Sequence, residues 1–209
     1  MQRMHREMKE DIGMEKKKYS IKEDFSMLAL LIIPVGVGGQ LASILKLPMY
    51  LDTIGTIFAA MLCGPWVGAV TGGLTNVVTG IANPVNFAFI PVNVIAGLVT
   101  GFLARKQMFS VWWKWLISMF VMAWVSIIVS APIVVLVYGG VTGGGTSIIT
   151  AAAMAAGANI WAAFFGTEGV FQVLDRIISF LICWAVIKVI PPRTLVKFGC
   201  GSNYIKEKK

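Results

Sequence analysis

One stretch, LDTIGTIFAAMLCGPWVGAVTGGLTNVVTG at residues 51–80, constrains this chain more than any other. It predicts two apolar helices folded back at Gly64-Pro65. On the second, Gly64, Gly68, Gly72, Asn76 and Gly80 recur every fourth residue. At about 100° per residue this spacing makes a slowly winding stripe almost free of side chains. In lipid, such stripes let helix backbones approach closely. Gly64, Gly68 and Gly72 are therefore expected to pack helices. One acid, Asp52, opens the first helix at the end of a short loop. A small-residue seam beside a polar mouth suits holding a solute rather than cutting a bond.

The rest of the chain agrees with a membrane setting. Hydrophobic residues make up 57% of it, charged residues 13%, and mean hydropathy is +0.78. A soluble domain carries about 25% charged residues. The net charge of +8 does not point to nucleic acid, because of where the charges lie. Seven of the 18 basic residues precede Phe25 and six follow from Lys188 onward. With Arg105, Lys106 and Lys114, 16 of the 18 sort to one side of an alternating chain of spans. That asymmetry marks the inner side. The expectation is an all-α integral membrane protein of the cell membrane, multi-pass, with both termini cytosolic and lipid around its body.

Six spans are expected, as a six-transmembrane-helix bundle with short loops and a small outer lid segment. Residues 1–24 form a cytosolic tail of mixed charge, without the pattern of a cleavable signal peptide. The membrane domain covers residues 25–193, and residues 194–209 form a basic cytosolic tail. Segment one, Phe25 to Leu45, is long enough for a hydrocarbon core of about 30 Å. Pro34 and Gly36, Gly38 and Gly39 should kink it. Segment two, Leu51 to Cys63, is too short to span alone and needs shielding by neighbours. Segment three runs from Trp66 to Ala82, segment four from Phe87 to Ala104, and segment five from Val111 to Tyr138. Thr146 to Phe165 is Ala-rich and reads as a short helix at the mouth. Segment six is Val170 to Ile190.

The outer half collects Lys46, Asp52, Asn83, Asn86, Asn159, Glu168 and Asp175, where a solute would arrive. Segment six has the sharpest pattern: Glu168, Gln172, Asp175 and Ser179 fall within an arc of roughly 60°. Ionisable groups facing lipid are costly, so this stripe should face the bundle interior or a water-filled cleft. It reads either as a hydrogen-bonding wall for a ligand or as part of an internal ion pair with Arg176. Asn86, Asn93 and Gly97 share a face of segment four, and an amide both donates and accepts. Asn93 reads equally as an interhelical bond, and Asn76 as packing glue. Trp124, Tyr138, Trp161 and the Phe164-Phe165 pair are candidate stacking surfaces, Trp161 first among them.

Several chemistries drop out. The one histidine, His5, lies in the tail, so a histidine metal site or triad is not expected. Cys63, Cys183 and Cys200 have no metal-ligand spacing. Gly143-Gly144-Gly145-Thr146 lacks the lysine of a phosphate-cradling loop. No enzyme activity, metal or cofactor is expected. Any energy for transport would come from a partner or an ion gradient.

Three pieces then stand together: YLDTIGTIFAAMLCGPWVGAVTGGLTNVV, the Asn/Pro loop before FIPVNVIAGLVTGFLARK, and LDRIISFLICWAVIKVIPPR. In this layout, from Phe25 to Arg193, the chain resembles the substrate-binding S component of energy-coupling factor (ECF) transporters. The resemblance implies a six-helix bundle that captures a small vitamin-like or nucleobase/nucleoside-like micronutrient at its outer face. It also implies partners: a transmembrane coupling protein and two cytosolic ATPases. By position it assigns substrate binding to the 46–52 loop with Asp52, and to Asn86, Asn93, Trp161, Glu168, Gln172 and Asp175. One feature departs from the pattern. Ala29 is followed four residues on by Ile33, so the Ala-x3-Ala docking pair of helix one is absent. Two other classes fit the residues: a stand-alone ion-coupled solute carrier using Asp175 or Glu168, and a membrane-embedded sensor or assembly module.

Overall fold

The computed structural model describes residues 53–109 and 111–205. Segment one, the 46–52 loop with Asp52, the N-terminal tail and the Ala29/Ile33 position lie outside the described residues. Every element within them is helical. The longer ones are α1 (Ile54–Cys63), α2 (Pro65–Ala82), α4 (Ile90–Arg105), α5 (Trp112–Pro132), α6 (Gly145–Ala155) and α7 (Ile160–Val189). Two four-residue helices accompany them, α3 (Val85–Ala88) and α8 (Pro192–Leu195).

The hairpin between α1 and α2 turns at Gly64, whose φ of +95° places it where side-chain-bearing residues rarely sit. Pro65 follows at the first helical position, where its missing N–H costs nothing. At ten residues, α1 is about 15 Å long, half a hydrocarbon core. Eight of its residues are buried, so its neighbours shield what its length cannot span.

Among the described residues, two segments are long and apolar enough to cross a membrane, Trp112–Val137 and Ile160–Val189. The first joins α5 to a π-helical turn, Ile133–Val137, immediately after Pro132. A proline inside a helix removes one ladder bond, and a wider turn accommodates the mismatch. Outward-facing residues on these helices are large and apolar: Trp112, Ile117, Phe120, Trp124 and Ile128 on α5, and Val170, Leu174 and Val189 on α7. A water-soluble surface of this kind would aggregate; a lipid-facing one does not.

The outer lid differs from expectation. Residues 146–165 do not form one short helix. α6 ends at Ala155, Gly157 takes a φ of +92°, and a new helix starts at Ile160. Asn159 caps it, its Oδ1 accepting from Trp161 N at 2.9 Å. α7 therefore begins ten residues before the expected Val170 and carries Trp161, Phe164 and Phe165 on its first turns. Gly166 and Gly169 do not break it, since a glycine costs a helix only about 1 kcal/mol.

The C-terminal end also folds further than a loose tail. Leu195, Phe198 and Cys200 are buried in the main core with Met61, Leu62 and Ala104. Cys200 N donates to Leu62 O at 2.7 Å, Tyr204 Oη to Met61 O at 3.2 Å, and Asn203 Nδ2 to Ala104 O at 3.0 Å. These carbonyls lie in the last turns of α1 and α4, where helical partners run out. Burial, with Cys200 and Cys183 nearby, pushes the Tyr204 phenol well above its ordinary pKa, so the hydroxyl stays a donor. Tyr204→Phe is expected to lower unfolding stability by about 1 kcal/mol. An unchanged denaturation midpoint in detergent would show that the clasp bears no weight.

Candidate functional site

The site begins with the seam that sets helix distances. A Cβ on Gly68 would stand 2.5 Å from Ala60 Cβ and 2.8 Å from Gly97 O. One on Gly72 would collide with the Asn93 carbonyl, one on Gly97 with the Gly68 carbonyl, and one on Gly101 with Pro65. The glycines of α2 and α4 thus interlock backbone to backbone along an antiparallel crossing. Asn93 stands on this seam, 3% exposed, and its Nδ2 donates to Asn76 Oδ1 at 2.7 Å. The structure therefore places Asn93 in an interhelical bond between α4 and α2. Asn86 is half-buried in α3 and takes no part in that pair. Gly80, at the C-terminal end of the stripe, lies under the Phe87 ring.

The second component is one face of α7. Trp161, Phe165, Glu168, Gln172, Asp175 and Ser179 follow spacings of four, three, four, three and four, so they share a side of the helix. Their burial deepens along it. Trp161 is 40% and Phe165 41% exposed, Glu168 5%, Gln172 6%, and Asp175 and Ser179 0%. The two outer rings stack at 6.3 Å between centroids, 22° from parallel. Trp161 was expected in a lid; it stands instead at the head of the polar face. Glu168 and Asp175 are the only acids among the described residues, and both lie here.

Arg176 ties this face to α1. Its guanidinium donates to Thr53 Oγ1 and, at 3.3 Å, to Gln172 Oε1, and one nitrogen lies 3.8 Å from Asp175 Oδ2. Gln172 Nε2 reaches Glu168 Oε2 at 3.5 Å. An alternating chain of donors and acceptors thus runs Glu168–Gln172–Arg176–Asp175 down the helix. The ligand-wall and ion-pair readings of this face are compatible, because pair and wall occupy successive turns.

A third feature was not legible in the sequence. Most buried helix hydroxyls bond back to their own i−4 carbonyl, as Thr71, Thr75, Thr79, Thr100 and Thr150 do. Thr56, Ser126 and Ser179 do not, and their hydroxyls have no hydrogen-bond partner. The anchors Trp115 against Phe180 and Ala131 beside Phe164 show how α5 and α7 run past each other. Counted from either anchor at equal rise, Ser126 is level with Glu168 and Gln172. Of the other candidate aromatics, Trp124 is exposed on α5, Tyr138 stacks on Phe89 at 6.4 Å, and Phe164 is core. No group of residues suited to a metal occurs among those described.

Comparison with known proteins gives one match. No curated protein and no solved structure matches the chain. A family model, that of the ECF transporter substrate-specific component, matches residues 26–187. These residues include the hairpin, the seam, both long apolar helices and the whole graded face of α7. Members of this family are membrane proteins that capture substrate for ECF-type transport, working with a coupling protein and ATPases. A match of this extent, on a fold built only of helices among its described residues, establishes that the chain belongs to the family of ECF transporter substrate-specific components.

Proposed function

We propose that the protein captures a vitamin-like or nucleobase/nucleoside-like micronutrient with high affinity at the outer face of the cell membrane. It then hands the solute to a transmembrane coupling protein driven by two cytosolic ATPases. The observation that carries this reading is the α7 face, aromatic and open at one end and polar and buried below. Glu168, Gln172 and Asp175 line the site and Trp161 stands at its entrance; Asp52, outside the described residues, is assigned to it by its position in the sequence alone. Asn86 and Asn93 belong to its outer rim and its α2–α4 side. The basic residues gathered at both ends support six spans with both termini cytosolic.

Uptake supplies the test. Cells producing this chain together with a coupling protein and its ATPases should accumulate a labelled micronutrient. An ATPase variant unable to hydrolyse ATP should abolish uptake and leave binding to the chain intact. Equal accumulation in vesicles holding this chain alone would replace the proposal with an ion-coupled carrier.

A further inference from the structure

We propose that the rim formed by the α4–α5 turn and the last turns of α7 is a docking site for the headgroup of an anionic phospholipid. The proposal is independent of what the α7 polar face binds. Its first observation is the placement of charge. Seven cations stand among the described residues, and only Arg176 lies inside the bundle. Arg105 and Lys106 close α4, Lys114 opens α5 and Lys188 closes α7, while Arg193 and Lys197 follow in the C-terminal segment. All six are exposed. The acid nearest to Lys188 along α7 is Asp175, already facing Arg176 and about 20 Å away at 1.5 Å per residue. Among the described residues, this end of the bundle is therefore positive without a carboxylate beside it.

The second observation brings three of these cations to one rim. Phe109, in the turn after α4, stacks on Phe180 of α7 at 5.4 Å between centroids. Trp115 of α5 meets the same ring edge-on at 6.5 Å. All three rings are buried. This anchor joins the end of α4, the start of α5 and the last turns of α7, and so gathers Lys106, Lys114 and Lys188. The third observation is the aromatic ring around them. Trp112 and Trp113 are 63% and 73% exposed, and Trp184 is 38% exposed. Lys188 Nζ lies 3.4 Å over the Trp184 ring. Towards the bundle centre the exposed surface turns wholly apolar, with Ile117 and Phe120 on α5 and Leu181 on α7. Indoles and long basic side chains above an apolar wall match the boundary between acyl chains and headgroups. What meets such a rim in a bilayer is a headgroup, and the lysines select a negative one. The topology proposed above puts it in the cytosolic leaflet.

The test uses the full chain in vesicles of phosphatidylcholine mixed with phosphatidylglycerol. Quenching of tryptophan fluorescence by brominated phosphatidylglycerol, relative to brominated phosphatidylcholine, reads the preference. The native chain is expected to prefer phosphatidylglycerol, each rim cation contributing about 5-fold. The preference should shrink in 1 M salt, where the screening length falls to about 3 Å. The triple variant Lys106→Gln/Lys114→Gln/Lys188→Gln should lose most of it. Its melting in neutral detergent should not change, because all three side chains are exposed. Arg193→Gln/Lys197→Gln removes two cations from the same end and should keep most of the preference. Equal quenching by the two lipids in the native chain would overturn the proposal. A C-terminal double variant that loses as much as the triple one would also overturn it, since the attraction would then be diffuse rather than seated on this rim. Should the lipids quench equally while the triple variant stops co-purifying with a coupling protein, the rim is a protein dock and the lipid assignment falls.

Discussion

Gly97→Leu should unfold the α2–α4 seam more readily than any substitution on the lipid-facing surface. The added Cβ would fall on the Gly68 carbonyl, which is backbone and cannot swing aside as a side chain would. Relief requires α2 and α4 to separate. That separation would loosen Gly72 against Asn93, Gly101 against Pro65, and the Asn93–Asn76 bond. The expected cost is at least the 1–3 kcal/mol or so typical of an overfilled core. Gly72→Leu should behave alike, since its Cβ would strike the Asn93 carbonyl. Gly166→Leu on α7 is the control: nothing lies within 4 Å of its Cβ position, and a leucine there also improves helix propensity. The measurement is melting in detergent for all three variants. Equal melting of Gly97→Leu and Gly166→Leu would mean that the seam is not held at backbone contact.

The second large effect belongs to Asp175 and Arg176. Both are buried, at 0% and 3% exposure, and lie 3.8 Å apart. Arg176 also bonds Thr53, so it joins α7 to the start of α1. Arg176→Met leaves a carboxylate inside the bundle without its guanidinium. Breaking a buried pair in this way costs about 3–5 kcal/mol. Asp175→Leu leaves the opposite charge and should cost a similar amount. The double variant Asp175→Leu/Arg176→Met removes both charges and should recover much of the loss, because apolar replacements of buried pairs are often close to neutral. Gln172→Ala separates structure from binding. It should lower ligand affinity roughly 5- to 150-fold through a lost hydrogen bond, with a smaller change in melting of the empty protein. A double variant no more stable than either single one would show that the pair is not the unit holding α7 to α1. Unchanged affinity in Gln172→Ala would remove the α7 face from the site.

How far the sequence could be read follows from which properties are local. Hydrophobic excess and the gathering of basic residues toward both ends are sums over the chain, and they are sufficient for a membrane setting. The stripes at Gly64–Gly80 and Glu168–Ser179 are also local, because 3.6 residues per turn decide which side chains share a face. Helix ends are local where a cap is present, as at Gly64-Pro65. The Ala-rich run from Thr146 to Phe165 reads as one short helix, yet the chain turns at Gly157 and α7 starts at the Asn159 cap and runs on through Gly166 and Gly169. Packing of Ala163 and Phe164 into the core carries the helix across both glycines.

What faces each stripe was decided only in three dimensions. Asn86, Asn93 and Gly97 share a face by spacing, and spacing alone cannot say whether that face meets a solute or another helix. The fold turns Asn93 and Gly97 onto the glycines of α2, because two backbones can interlock only where neither carries a side chain. The same holds for the C-terminal clasp. A run of mixed basic and small residues after Pro192 has no periodicity to mark it, yet the open carbonyls at the ends of α1 and α4 give it a place to bond. A helix dictates its own faces through its repeat. The partner of each face is chosen by elements distant in sequence, through which backbones can approach and which buried polar groups still need a bond.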